Sequence, residues 1–182
     1  MTVLISLALL VFTAALVLLY AMVGELASRV PRAAQEDGRA DFVTPLTELD
    51  PGTVPADWPG QLAALQGEER AVLLVLSPSC SSCNRVAGEL ATMGEGEFGL
   101  PLGVVVSSGD RRTGEEFAAR HGLHRLPCLV DERGAWVTGS FGVRTSPAAL
   151  VITRGVAAEA YVFGGLRTVR DTIVRTTPEG AR

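Results

Sequence analysis

The chain has 182 residues, a formal net charge of −4 and a 47% hydrophobic content. Its positive charge is all arginine, and no basic run stands out, which gives nucleic acid little to hold. Three cysteines are too few for a disulfide-stapled scaffold, and the length suits one domain with a short appendage.

The hydrophobic residues are unevenly spread. All of residues 1–23 except Thr2, Ser6 and Thr13 are hydrophobic. As a helix, Thr2 to Val23 would rise about 33 Å, enough to cross a bilayer core. Nothing basic precedes the run except the α-amino group, and the run is longer than the apolar core of a cleaved signal. One N-terminal transmembrane helix over 1–23 is the expectation, with Tyr20 at its far interface. Arg29, Arg32 and Arg39 follow it, and by the positive-inside rule they would hold the rest of the chain in the cytoplasm. The chemistry of the later residues points to the outer side instead.

Residues 24–60 carry Pro31, Pro45, Pro51, Pro55 and Pro59 among many acids and show no sustained period, the pattern of a stalk and lead-in. Phe42, Val43 and Leu46 are apolar enough to pack back onto the domain assigned to 61–182.

Residues 71–77 form a continuous apolar run, as in a strand buried on both faces. A helix follows, with Cys83, Val86, Ala87, Leu90 and Ala91 on one face. Residues 101–106 predict a second strand. Asp110 or Thr113 then caps a helix running to His121 with Phe117 and Ala118 inward. A short strand is expected at Cys128–Val130. Gly134 to Phe141 is ambiguous between loop and short helix. Ala148–Thr153 and Val156–Phe163 flank Arg154-Gly155 as a hairpin. Leu166, Val169, Ile173 and Val174 line a last helix ending near Arg175. Parallel βαβ units followed by a hairpin make an α/β fold, a mixed sheet flanked by helices.

Chemistry concentrates at Cys80-Ser81-Ser82-Cys83, between a buried strand and a helix start. There the first cysteine meets unpaired backbone N–H groups and the positive end of the helix dipole, both of which favour thiolate. Cys80 is the expected nucleophile. Cys83, one turn on, can resolve a mixed disulfide. Two rivals use the same pair: half of a metal site, and a structural disulfide. The metal reading lacks a second ligand pair, because Cys128, His121 and His124 have no zinc-like spacing. Cys128, in an apolar run, reads as a small buried hydrophobe. His121 and His124 read as complements to a helix C-terminus, and Trp58 and Trp136 as packing residues.

Ser146-Pro147 directly precedes a strand, where a proline is tolerated. With a cis bond the loop would face Cys80 and offer backbone groups to a substrate strand; the alternative is an ordinary trans proline at a strand start.

The strand AVLLVLS, the motif Ser77-Pro78-Ser79-Cys80-Ser81-Ser82-Cys83 and the segment Phe141-Gly142-Val143-Arg144-Thr145-Ser146-Pro147 together resemble the membrane-anchored, TlpA-like thiol–disulfide oxidoreductases of thioredoxin fold. The apolar start followed by SRVPR is more similar to the branch that assists methylamine dehydrogenase maturation. The resemblance covers about residues 40–175 plus the anchor. It implies that Cys80 and Cys83 are the redox pair and that Pro147 is the cis-proline. Two positions depart from the family pattern: Ser79 stands where an aromatic, commonly Trp, precedes the first cysteine, and Ser-Ser separates the pair.

The function expected is a single-pass, extracytoplasmic oxidoreductase acting on protein disulfides or thiols. It needs no cofactor and no metal, and it exchanges electrons with a separate membrane thiol donor or acceptor, because one span without a cofactor motif cannot carry electrons across a membrane. The rival from the binding class is an anchored metal or cofactor-assembly chaperone, for example one preparing apocytochrome thiols for haem in cytochrome c maturation.

Overall fold

A computed structural model of the chain describes residues 42–49, 51–94 and 96–176, together with Ser6, Leu10, Phe12, Thr13 and Leu16. Those five positions belong to one compact unit, Met1–Asp37, and all are helical; the Thr13 hydroxyl donates to the Leu10 carbonyl. The span expected over residues 1–23 otherwise lies outside the described residues, as do residues 24–41 of the expected stalk. Among the described residues no helix is long and apolar enough to cross a membrane.

The second unit, Gly38–Arg182, is built on one six-stranded mixed sheet. Its strands are β1 (Val43–Pro45), β2 (Ala71–Leu76), β3 (Leu102–Ser108), β4 (Cys128–Glu132), β5 (Ala148–Thr153) and β6 (Val156–Phe163). The spatial order is β1-β6-β5-β2-β3-β4. β2, β3 and β4 run parallel, while β5 pairs antiparallel with β2 and with β6. The helices are α1 (Ala63–Gln66), α2 (Ser81–Thr92), α3 (Arg111–Arg120), α4 (Ala135–Phe141) and α5 (Leu166–Arg175).

Every residue of β2 is buried because both faces of the sheet are covered. Val72, Leu74 and Leu76 point into one core, against Val86 and Leu90 of α2, Phe117 of α3 and Val169 and Ile173 of α5. Ala71, Leu73 and Val75 point into the other, against Leu65 of α1 and Val137 and Phe141 of α4. Period-two alternation along a strand sends successive side chains to opposite faces, so one apolar run serves two cores. Val43 and Leu46 do pack back, while Phe42 stays exposed: Val43–Pro45, inside the stretch read as lead-in, pairs with Phe163–Tyr161 as the sheet's edge.

The β5–β6 turn is Arg154-Gly155, both with positive φ (50° and 78°), the geometry a two-residue hairpin requires. Three expectations need correction. β4 runs to Glu132, past the apolar residues, because its pairing with β3 extends to Ser108. Ala91 and Val174 were expected to face inward, yet both are exposed, Val174 at 43%. Each sits one position beyond its buried neighbour, Leu90 or Ile173, and 100° of helical rotation carries it off the packed stripe.

Candidate redox site

β2 ends at Leu76, and Ser77-Pro78-Ser79 carries the chain from the carboxyl end of this central strand to α2. Proline ends strand pairing, and the Cys80 N–H donates to the Ser77 carbonyl at 3.1 Å, closing the turn. Asn84 steadies the loop from inside the helix, its amide donating to the carbonyls of Pro78 (3.3 Å) and Cys80 (3.0 Å).

Cys80 is the N-cap residue of α2, in extended conformation, and its Sγ does what a capping oxygen does elsewhere. It accepts the Cys83 backbone N–H at 3.3 Å and lies 3.1 Å from the Ser82 hydroxyl. The hydrogen bond from the Cys83 thiol, outweighing partial burial and aided by Ser82, holds the Cys80 thiol down at about 5. Cys83 is fully buried and shifts the opposite way, far up, because its proton is shared with Cys80 and burial disfavours a second charge. At neutral pH the pair is therefore one thiolate on the half-exposed sulfur and one thiol beneath it. Ser82, unremarkable in the sequence, is one of the donors that make the thiolate.

The Ser146–Pro147 peptide bond is cis. Pro147 is buried, and the Ser146 carbonyl oxygen lies 3.6 Å from Cys80 Sγ, close enough to accept from the protonated thiol. The Cys80/Cys83 pair and the Ser146/Pro147 pair, more than sixty positions apart in the chain, are thus brought together at the carboxyl end of the central strand β2.

The other candidates lie elsewhere. Cys128 is partly buried against the core that contains α2, and burial pushes its thiol up to about 11, which makes it a poor nucleophile at neutral pH. His121 is the residue that ends α3. Burial and the neighbouring Arg120 push its ring toward the neutral form, its Nε2 is buried without a hydrogen-bond partner, and the ring packs on Phe117 at 4.8 Å. Burial and Arg120 both act against the positive charge with which the ring would complement the helix C-terminus. Trp58 and Trp136 do pack, edge to face with each other and with Phe141. Among the described residues no three His, Cys, Asp or Glu side chains gather as a metal ligand set.

Sequence reasoning passed over a polar cleft of about 540 Å³ that opens beside Cys80. Ser79 and Ser146 border it on the cysteine side, and Arg133 and Arg144 line it from the turns before α4 and before Pro147. The only signal was Asp131-Glu132-Arg133-Gly134, whose terminal glycine marks a turn.

No protein-family model matches the chain, and no curated protein sequence does. Solved structures do match in shape. A secreted Mycobacterium tuberculosis disulfide oxidoreductase, homologous to E. coli DsbE, superposes with a TM-score of 0.51 at 19% identity, over 76% of this chain and 98% of its own. The thioredoxin domain of a Bacteroides vulgatus thiol-disulfide oxidoreductase does so with a TM-score of 0.53 at 12% identity, over 70% and 97%. At such identities the likeness is one of fold, and the fold of the described residues within 42–176 is thioredoxin-like.

Proposed function

We propose that this chain is a thiol–disulfide oxidoreductase that acts on protein cysteines, with Cys80 as nucleophile and Cys83 as resolving thiol. The observation that carries the reading is the paired shift of the two sulfurs: a half-exposed thiolate at a helix N-terminus, hydrogen-bonded by a buried thiol. The Cys80 thiolate attacks one sulfur of a substrate disulfide, forming a mixed disulfide and releasing the other sulfur as a thiolate. Cys83 then gives up its proton and attacks Cys80 Sγ. The Cys80–Cys83 disulfide forms, the bond to the substrate breaks, and the second substrate sulfur leaves as a thiolate that takes up a proton. Two electrons pass from the pair to the substrate; run backwards, the steps oxidise a dithiol. The Ser146–Pro147 loop, across from Cys80, is the place for an extended substrate segment to rest.

In this proposal residues 1–23 anchor the chain and the redox domain faces the extracytoplasmic side, where the proteins of similar fold include one described as secreted. A separate multi-span membrane thiol protein renews the pair. The sequence resemblance to the methylamine dehydrogenase maturation branch, carried by the apolar start and SRVPR, names the pathway we favour.

Thiol trapping tests the core of this reading. Cys83→Ser should accumulate a mixed disulfide through Cys80, Cys80→Ser should trap nothing, and the wild-type pair should cycle between two redox states. Absence of a trapped species in Cys83→Ser, together with a wild-type pair that never cycles, would sink it.

A further inference from the structure

We infer that the cleft beside Cys80 is a subsite for a carboxylate, and that substrates carrying an acidic residue next to their reacting cysteine are preferred. The inference deepens the oxidoreductase reading and rests on it.

The cleft lies where the C-terminal ends of β2, β3 and β4 meet the turn into α4 and the loop into Pro147. Such ends are where open α/β sheets receive ligands, because the loops there diverge and leave a crevice. Arg133 and Arg144 line it together with Ser77, Ser79, Ser107 and Thr138, and no Asp or Glu is among its described lining residues; the Thr138 hydroxyl donates to the Val143 carbonyl (3.1 Å), and those of Ser77 and Ser79 bond each other (3.0 Å). Neither Arg133 nor Arg144 makes an ion pair among the described residues, so neither guanidinium is committed there to a carboxylate of the chain. Asp131, two residues from Arg133, is buried and already accepts the N–H groups of Trp136 (3.0 Å) and Val137 (2.9 Å). Glu132 points to solvent at the end of β4.

Arg133 is held there by its backbone. Its φ of 57° is left-handed, a conformation that glycine or asparagine takes at lower cost. Its N–H donates to the Ser108 carbonyl at 2.6 Å, which ties the turn to β3. Gly134 lets the backbone press close, since a Cβ there would stand 2.9 Å from Ser107 Oγ. The turn thus presents an arginine from a pinned backbone at a site where arginine is an unfavourable local choice. Guanidinium groups match carboxylates in a planar, two-pronged geometry.

Ser146 connects the two sites. It borders the cleft, and its carbonyl lies 3.6 Å from Cys80 Sγ. An extended peptide advances about 3.3 Å per residue, so a substrate whose cysteine meets Cys80 places a neighbouring side chain at the cleft.

The test uses the reduced full-length chain in detergent and three disulfide-bonded peptides that are identical except for Glu, Gln or Arg at the positions flanking the cysteine. The rate of Cys80 consumption is read for each. The Glu peptide should react about tenfold faster than the Gln peptide, the Arg peptide should be slower still, and the advantage should shrink as salt rises from about 50 to about 500 mM. The double variant R133Q/R144Q should lose the Glu advantage while keeping the Gln-peptide rate, which also reports that it is folded. Equal rates for Glu and Gln, or an advantage that survives in the double variant, overturns the subsite alone. Failure of every peptide to react overturns the oxidoreductase reading and this inference with it.

Discussion

Cys80 and Cys128 are the same residue type in environments of opposite sign. Cys80 caps a helix and receives hydrogen bonds, while Cys128 meets apolar neighbours and only loses water. Alkylation of the reduced chain by iodoacetamide should therefore modify Cys80 alone at pH 7. The Cys80 rate should be flat at neutral pH and fall to half at about pH 5, whereas Cys128 should become reactive only as pH approaches about 11. Removing the Ser82 hydroxyl by Ser82→Ala should move the Cys80 midpoint upward. The same shift bears on stability. A thiol whose value falls from 9.0 to about 5 on folding stabilises the folded dithiol form fully above the unfolded value, and that contribution disappears as pH falls through about 5. Between about pH 5 and 8 the reduced wild type should thus gain stability over Cys80→Ser, measured by urea midpoints. Cys83 shifts upward and adds no pH dependence in that window, where it stays protonated in both states.

At the scale of elements, α4 shows how a segment with weak local signals is decided. Ala135–Phe141 begins after a glycine at φ 64° and ends at one at φ 70°, and it contains two β-branched residues and an internal glycine. Its own propensity is poor, which is why the sequence left it ambiguous. The buried Asp131 carboxylate satisfies two N–H groups of its first turn, and Val137 and Phe141 bury against the sheet. Asp131→Ala should cost about 3 kcal/mol in urea unfolding, because both N–H groups lose a charged acceptor. Asp131→Asn should cost less. The arginine that lines the cleft depends on this element, since Arg133 lies between Asp131 and the start of α4.

At the scale of the whole molecule, glycines set how closely helices approach the sheet. A Cβ on Gly114 of α3 would stand 2.4 Å from Val130 Cγ1 and 2.6 Å from Ser108 Oγ, so the helix rests directly on β3 and β4. Gly114→Ala should destabilise by about 2 kcal/mol through this clash. Gly88→Ala, on α2 with nothing within 4 Å of the added carbon, should instead stabilise by about 0.5–1 kcal/mol. Opposite signs in two denaturation curves would separate packing from propensity.

Local patterns determined much of this protein without the fold. The apolar run before the first cysteine, the inward face of Cys83, Val86, Ala87 and Leu90 after it, and the Arg154-Gly155 hairpin depend on neighbours in the chain and stand in the structure as the sequence predicts, and of the two cap candidates Asp110 is the one used. The CxxC at a strand-to-helix junction marked the candidate nucleophile for the same reason: a helix N-terminus is a local field. Contacts between distant segments were legible only as possibilities or not at all. That the Ser146 carbonyl meets Cys80, that Val43–Pro45 closes the sheet's edge, that burial pushes His121 toward its neutral form, and that Arg133 and Arg144 share one cleft are consequences of strand order and helix packing. Burial and long-range proximity decide charge states and assemble sites, and neither is a property of a residue's neighbours in sequence.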